Sequence, residues 1–202
     1  MDPAVVVGLG NPGPRYAGTR HNIGFRLVDM LADALRASAA ESTPDRRVRR
    51  AGFHGRPVAL VWPLTFMNLS GRALLGLPES EAAGPAGHLI VFDDVALPFG
   101  TVRFRKGGGA GGHRGLASIL ECLGTEAVPR LRLGVGGGEP GRDLAAYVLE
   151  PFAPEEEERI GPWLARAAEG VRAFLDEGPE TAMNRFNRVP DEEPNPGKEE
   201  KE

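Results

Sequence analysis

With one cysteine, Cys122, among 202 residues, the chain cannot close an internal disulfide, and a zinc site built on thiolates lacks its ligands. A lone thiol suits a reducing cytosol. No apolar run approaches the roughly 18–20 residues of a membrane span. Met1-Asp2-Pro3 has neither the charged nor the apolar region of a secretory signal, so a soluble, cytoplasmic protein is expected. The motif G-x-S-x-G is missing, which removes the nucleophile elbow of serine hydrolases. Gly-Lys-Ser/Thr is missing too, and with it the Walker nucleotide loop. The four histidines do not stand at metal-ligand spacing, and no internal repeat is found.

The acidic balance is a property of one end. Residues 191–202 hold six acidic and two basic residues (2 − 6 = −4), equal to the net charge of −4, so residues 1–190 are neutral. Between Thr101 and Arg142 seven basic residues (Arg103, Arg105, Lys106, Arg114, Arg130, Arg132, Arg142) stand against three acidic ones (Glu121, Glu126, Glu139). That excess is either a basic face for a polyanion or a solvated surface. The length suits one well-buried core, and residues 1–187 read as one domain. After Asn187 the chain turns to Pro, Glu, Lys and Asn, with almost nothing to bury; residues 188–202 are expected to be a disordered acidic tail.

Residues 4–9, short and mostly β-branched before glycines, predict a buried strand. A helix follows from Ile23, with Leu27, Val28, Leu31 and Leu35 on one face. Residues 46–53 and 57–62 read as a hairpin around His54-Gly55-Arg56. Further strands are expected at 89–92, 101–105 and 131–135. Helices are expected at 114–123, at 154–175 with an interruption at Gly161-Pro162, and at 180–186. This mixture without strict alternation predicts a single-domain α/β fold, a mixed twisted β-sheet flanked by helices.

The stretch Thr19-Arg20-His21-Asn22-Ile23-Gly24-Phe25 places a histidine near the carboxyl end of the first strand, where open α/β sheets bind ligands. A histidine titrates near ~6.5 when unperturbed, so general base is the first role to test for His21. Gly8, Gly10 and Gly13 match the dinucleotide fingerprint. However, Pro12 and Pro14 disturb the glycine turn, and Asp29 and Asp33 lie in a helix rather than at the end of a second strand. The simpler reading of these glycines is a turn that needs positive φ. Residues 107–115, with six glycines around His113 and Arg114, can present N–H groups to an anion or bend over a substrate. Asn68 stands at a loop-to-helix junction, where it is either a cap or a functional amide. Asp93 closes a strand, where a carboxylate can orient an imidazole. As a metal pair Asp93 and Asp94 would point to opposite faces. Cys122 reads as a packing residue, and His54 and His88 are assigned no chemistry. Residues alone stop at a metal-free hydrolase or an RNA-binding protein.

Several segments together, Val7-Gly8-Leu9-Gly10-Asn11-Pro12-Gly13, Tyr16, Thr19 to Gly24, Phe66-Met67-Asn68-Leu69-Ser70-Gly71, the Gly107 loop with His113 and residues 131–136, strongly resemble the bacterial peptidyl-tRNA hydrolases. The likeness runs from the first strand to Ala182-Met183-Asn184-Arg185-Phe186-Asn187, in family order. It implies hydrolysis of the ester between a peptide and the terminal ribose of tRNA, without metal or cofactor, by a monomer. It also implies His21 as general base, Asp93 as its partner, and Asn68 as the group that places water or holds the oxyanion. Asn11 would read the first peptide group, and Met67, His113 and Arg114 would contribute to substrate binding. Tyr16 and Phe66 would lie near the tRNA end, unless they only pack; Arg105 and Arg132 would contact phosphate. Arg114 replaces the usual asparagine, which implies a phosphate or ribose contact there. Ala96 replaces an aspartate, and Pro78 should shorten the helix after Gly76. Some chloroplast relatives bind intron RNA without hydrolysis, which leaves an RNA-binding module as the rival reading.

Overall fold

The computed structural model describes residues 1–137 and 141–187. Strand β1 (Ala4–Gly8) is buried along its whole length. Ala4 and Val6 face one hydrophobic cluster, while Val5, Val7 and Leu9 face another. Because both faces are covered, the sequence shows a continuous apolar run rather than alternation. On one side lie α1 (Ile23–Ala34), α5 (Pro154–Glu177) and α6 (Pro179–Phe186). On the other lie a 3-10 segment, Met67–Leu74, and α3 (Arg114–Leu123).

Six further strands are β2 (Glu41–Ser42), β3 (Arg46–Phe53), β4 (Arg56–Pro63), β5 (His88–Asp94), β6 (Val102–Arg105) and β7 (Arg130–Gly134). They complete a seven-stranded sheet of order β2-β3-β4-β1-β5-β7-β6. β1 runs parallel to both neighbours, pairing Val6 with Leu60 and with Leu89. β5 and β7 are parallel, whereas β2, β3 and β6 are antiparallel to their partners. The expected mixed sheet flanked by helices is therefore present as a single domain. The hairpin turns at His54 and Gly55, with φ of 47° and 81°, the two positive values that a two-residue turn of this hand requires.

After β4 the chain passes through the 3-10 segment and α2 (Pro78–Ala83), then re-enters the sheet beyond β1 as β5. The carboxyl ends of β4, β1 and β5 thus stand side by side, and their loops border one crevice. At the far edge the Asn187 side chain pairs with β6: the Phe104 N–H donates to Asn187 Oδ1 (2.6 Å), and Asn187 Nδ2 donates to the Phe104 carbonyl (3.0 Å).

Several expectations are corrected. α5 is not interrupted at Gly161-Pro162; Pro162 lies within it. Pro162 and Glu158, four residues earlier, are both exposed, so the carbonyl left without a donor can be hydrated. Pro78 opens the six-residue α2, where a missing N–H costs nothing. Of the three fingerprint glycines only Gly13 has positive φ (103°). Gly8 and Gly10 are needed for contact: a Cβ at Gly8 would stand 2.4 Å from the Gly24 carbonyl oxygen, and one at Gly10 2.8 Å from the Phe25 ring. The short elements β2 and α4 (Leu144–Val148) had no counterpart in the sequence reading. The expected acidic tail, residues 188–202, lies outside the described residues.

Candidate active site

His21 sits in a single 3-10 turn, Arg20–Asn22, between the loop after β1 and the start of α1. Its Nδ1 is 2.8 Å from Asp93 Oδ1, on the penultimate residue of β5. An ionised carboxylate only accepts, so Nδ1 carries the proton and Nε2 keeps its lone pair. The imidazole is 15 % exposed and the carboxylate 2 %. His113, which precedes α3, reaches the same oxygen: its Nε2 lies 3.2 Å from Asp93 Oδ1, while its Nδ1 accepts the Leu116 N–H at 3.2 Å. Burial opposes charge on Asp93, but the hydrogen bonds and charge of His113 and His21 outweigh it, and the carboxyl is held well below the usual carboxylate range. These three side chains are the only group of potential metal ligands found among the described residues, with ligand atoms within 4.8 Å. Both ring nitrogens, however, converge on a carboxylate oxygen and not on an open point.

A second network surrounds Asn11. Asn22 Oδ1 accepts the Asn11 N–H at 2.8 Å, and Asn22 Nδ2 donates to the Asn11 carbonyl at 3.0 Å. Asn11 Oδ1 in turn accepts the Met67 N–H at 3.0 Å. The carbonyl end of the Asn11 amide is thereby occupied, and its Nδ2 remains a donor. Since Asn22 follows His21 and Asn68 follows Met67, this network draws the three loops together. Asn68 is exposed and does not cap; Phe66 is the residue before the 3-10 segment, and no side-chain cap bond is made there. Met67 is buried at 6 % exposure and approaches Gly115, where a Cβ would meet Met67 Sδ at 2.4 Å.

Beside this network, Pro12, Gly13, Pro14, Arg15, Tyr16 and Phe66 line a cleft of about 360 Å³. Phe66 is 63 % exposed, so it is not core packing. Tyr16 is half-buried, with the Arg15 guanidinium 4.4 Å from its ring centroid. A second groove, about 350 Å³, lies at the sheet edge between Arg103, Arg105 and Lys106 on one side and Met183 and Asn187 on the other. The basic excess is only partly available there. Arg132, cross-strand from Arg103, pairs its Nε with Asp94 Oδ2 at 2.5 Å. Arg130 is buried and spends its guanidinium on the carbonyls of Val128, Gly109 and Glu126. Arg105 and Arg114 are exposed.

A family model described as peptidyl-tRNA hydrolase matches residues 5–195. The chain belongs to the peptidyl-tRNA hydrolase family. It is 44 % identical over 198 residues to a peptidyl-tRNA hydrolase of Roseiflexus sp. (strain RS-1), covering 98 % of this chain and 90 % of that one. With the Aquifex aeolicus protein of the same name it shares 43 % identity over 188 residues, 93 % of this chain and 98 % of the relative. Among solved structures, the peptidyl-tRNA hydrolase of Acinetobacter baumannii superposes with a TM-score of 0.84 at 32 % identity, covering 93 % of this chain and 96 % of that one. The peptidyl-tRNA hydrolases are enzymes, and no helix among the described residues here is long and apolar enough to cross a membrane.

Against this peptidyl-tRNA hydrolase background, the sequence reading gave no role to two residues of the site region. Asn22 clasps Asn11. Arg20, 6 % exposed, fixes the histidine turn: its guanidinium donates to Glu156 Oε2 (2.7 Å), lies 3.6 Å from Glu150 Oε2 and stacks over Tyr147 at 4.1 Å. A signal for Arg20 and Asn22 was present, since both flank His21; their partners, 127 and 11 residues away, were not legible.

Proposed function

We propose that the chain hydrolyses the ester joining a peptide to the terminal ribose of peptidyl-tRNA, with His21 as general base, as a cytoplasmic monomer. The observation that carries this reading is the orientation of His21: its Nδ1–H is given to buried Asp93, which leaves Nε2 as the basic nitrogen of a half-open crevice. Nε2 takes a proton from water as the oxygen attacks the ester carbonyl carbon. Asp93 holds the ring in this tautomer and stabilises the imidazolium. Asn68, exposed beside the buried Met67, offers its amide to the water or to the oxyanion. Removing such a donor typically costs about 10²- to 10³-fold in rate. Collapse of the tetrahedral intermediate releases the ribose oxygen, which recovers the proton from His21.

The remaining residues support substrate choice. Asn11 Nδ2 donates to the first peptide carbonyl. A free aminoacyl ester has no peptide group there, so the blocked substrate is preferred. Exposed Phe66 and half-buried Tyr16 suit stacking on the terminal bases. The exposed Arg105 and Arg114 suit phosphate or ribose contacts whose affinity falls as salt rises, whereas Arg132 could join them only by leaving Asp94. The large apolar side chains exposed among the described residues (Met1, Phe66, Leu69, Leu75, Leu144, Leu149) are few, which supports a monomer.

The test is release of N-acetyl-amino acid from N-acetyl-aminoacyl-tRNA by the wild type and His21→Ala, with unblocked aminoacyl-tRNA alongside. Cleavage of the blocked substrate only, lost in the variant, is expected. A wild type that binds tRNA but cleaves nothing would replace this reading with the RNA-binding one.

A further inference from the structure

Both nitrogens of His113 are spent inside the protein. Its Nδ1 accepts the Leu116 N–H at the start of α3, so Nε2 must carry the proton, and that proton goes to the oxygen already bonded by His21. No ring nitrogen is left for a substrate. The ring is also confined, 4.8 Å from Phe92 and 5.1 Å from His21 between centroids, and a Cβ at Gly115 would stand 3.1 Å from its Cε1.

We infer that His113 is a positioning residue: through the shared Asp93 oxygen it limits how strongly the carboxylate stabilises protonated His21, and it couples that limit to the seating of the glycine-rich loop that precedes it. This rests on the reading of His21 as the base.

An N–H donated to a carboxylate oxygen withdraws negative charge from it, so a carboxylate with two donors on one oxygen supports an imidazolium less than a carboxylate with one. Gly108, Gly111 and Gly112 hold positive φ (123°, 58° and 85°), and the loop ends at His113. It is seated at its base by the buried Arg130, which donates to the Gly109 carbonyl at 3.0 Å. Lifting the loop would withdraw the His113 N–H and leave Asp93 to His21 alone.

Other charges near the pair are already engaged. On β5, Asp94 is held by Arg132; beside His21, Arg20 is held by Glu150 and Glu156. Arg26 on α1 pairs with Glu157. Near α4, Arg142 lies 3.6 Å from Glu150, and the Tyr147 hydroxyl donates to the Val135 carbonyl. Arg114, on α3, is exposed. Asp93 is therefore the anion that both imidazoles face.

Two substitutions separate this role from a packing role or a substrate contact. His113→Asn keeps an acceptor for the Leu116 N–H but falls short of Asp93. His113→Gln carries a donor out to the reach of Nε2. The pH dependence of kcat/KM on N-acetyl-aminoacyl-tRNA is measured for each, together with NMR titration of the His21 ring signals in substrate-free protein. For His113→Asn the acid limb and the His21 midpoint should move up together, by about one pH unit, a roughly tenfold loss of rate on the acid side with the alkaline plateau within a few-fold of wild type. His113→Gln should restore both. A raised KM with neither profile moved would overturn the inference in favour of substrate contact, and equal displacement by both variants would overturn it in favour of packing. The NMR titration reads the coupling even if the wild type proves not to hydrolyse this substrate, so the two readings fail separately.

Discussion

Asn22 holds the main chain of Asn11 on both sides of its Cα, accepting its N–H and donating to its carbonyl, as a neighbouring strand would. The amide that we assign to reading the substrate's first peptide bond is thus aimed by another amide, eleven residues further on. Asn22 precedes α1 but makes no side-chain cap bond there, so its buried amide serves the loop and not the helix. Asn22→Asp keeps the acceptor and turns the donor into a second oxygen facing the Asn11 carbonyl. Losing a buried hydrogen bond and gaining that repulsion costs about 1–3 kcal/mol. The expected result is a fall of roughly 5- to 150-fold in kcat/KM for N-acetyl-aminoacyl-tRNA relative to aminoacyl-tRNA, measured side by side.

The salt-bridged Arg20 anchors the turn that carries His21 against α4 and α5. Arg20→Met should cost about 1–3 kcal/mol, below the range for a fully buried pair because Glu150 is 53 % exposed and Glu156 keeps the Ala153 N–H. Urea midpoints at constant m-value measure it. Because Arg20 is buried, kcat should fall further than KM rises.

His88 is buried without exposure; its Nδ1 donates to the Gly84 carbonyl at 2.7 Å, and the Ser80 hydroxyl lies 2.8 Å from Nε2. Burial pushes its pKa below the ordinary 6.5, against the pull of the Gly84 and Pro85 carbonyls. The folded ring stays neutral while the unfolded one takes up a proton below about pH 6.5. Stability is thus complete above that pH and falls as pH drops through it toward the folded value. Unfolding free energy at pH 5.5 should lie about 1 kcal/mol below that at pH 7.5, and His88→Gln should lose this part of the slope.

Gly8 and Gly24 let β1 and α1 approach backbone to backbone. A Cβ at Gly8 would meet the Gly24 carbonyl oxygen at 2.4 Å and Val28 Cγ2 at 2.8 Å, and neither the strand nor the helix can yield alone. Gly8→Ala should destabilise by about 1–3 kcal/mol or more, which calorimetry would read as a melting temperature lower by roughly 2–12 °C.

The elements that could be read from sequence were those whose pattern is local. β1 is apolar throughout, α1 keeps one face, and the hairpin carries its turn residues. What could not be read depends on partners far along the chain. Pro162 breaks nothing because the carbonyl it leaves open faces water, a matter of which side of α5 is packed. Gly8 and Gly10 looked like turn residues because a contact with α1 is invisible before α1 is folded back. In the site, His21 and Asp93 could be paired on chemical grounds. That His113 would spend both its nitrogens within the protein, and that Arg132 would be held by Asp94, needed the register of β5, β6 and β7.

The pairing of Asn187 with Phe104 has a consequence beyond the fold. β6 is the last strand of the sheet, and an open edge is a template on which another molecule can add a strand. One side chain, at the end of α6, occupies both the donor and the acceptor that such a strand would need at Phe104. At the opposite edge β2 is only two residues long. Strand addition is thus opposed at Phe104 by an amide, and at the opposite edge the outermost strand offers only two residues to pair with.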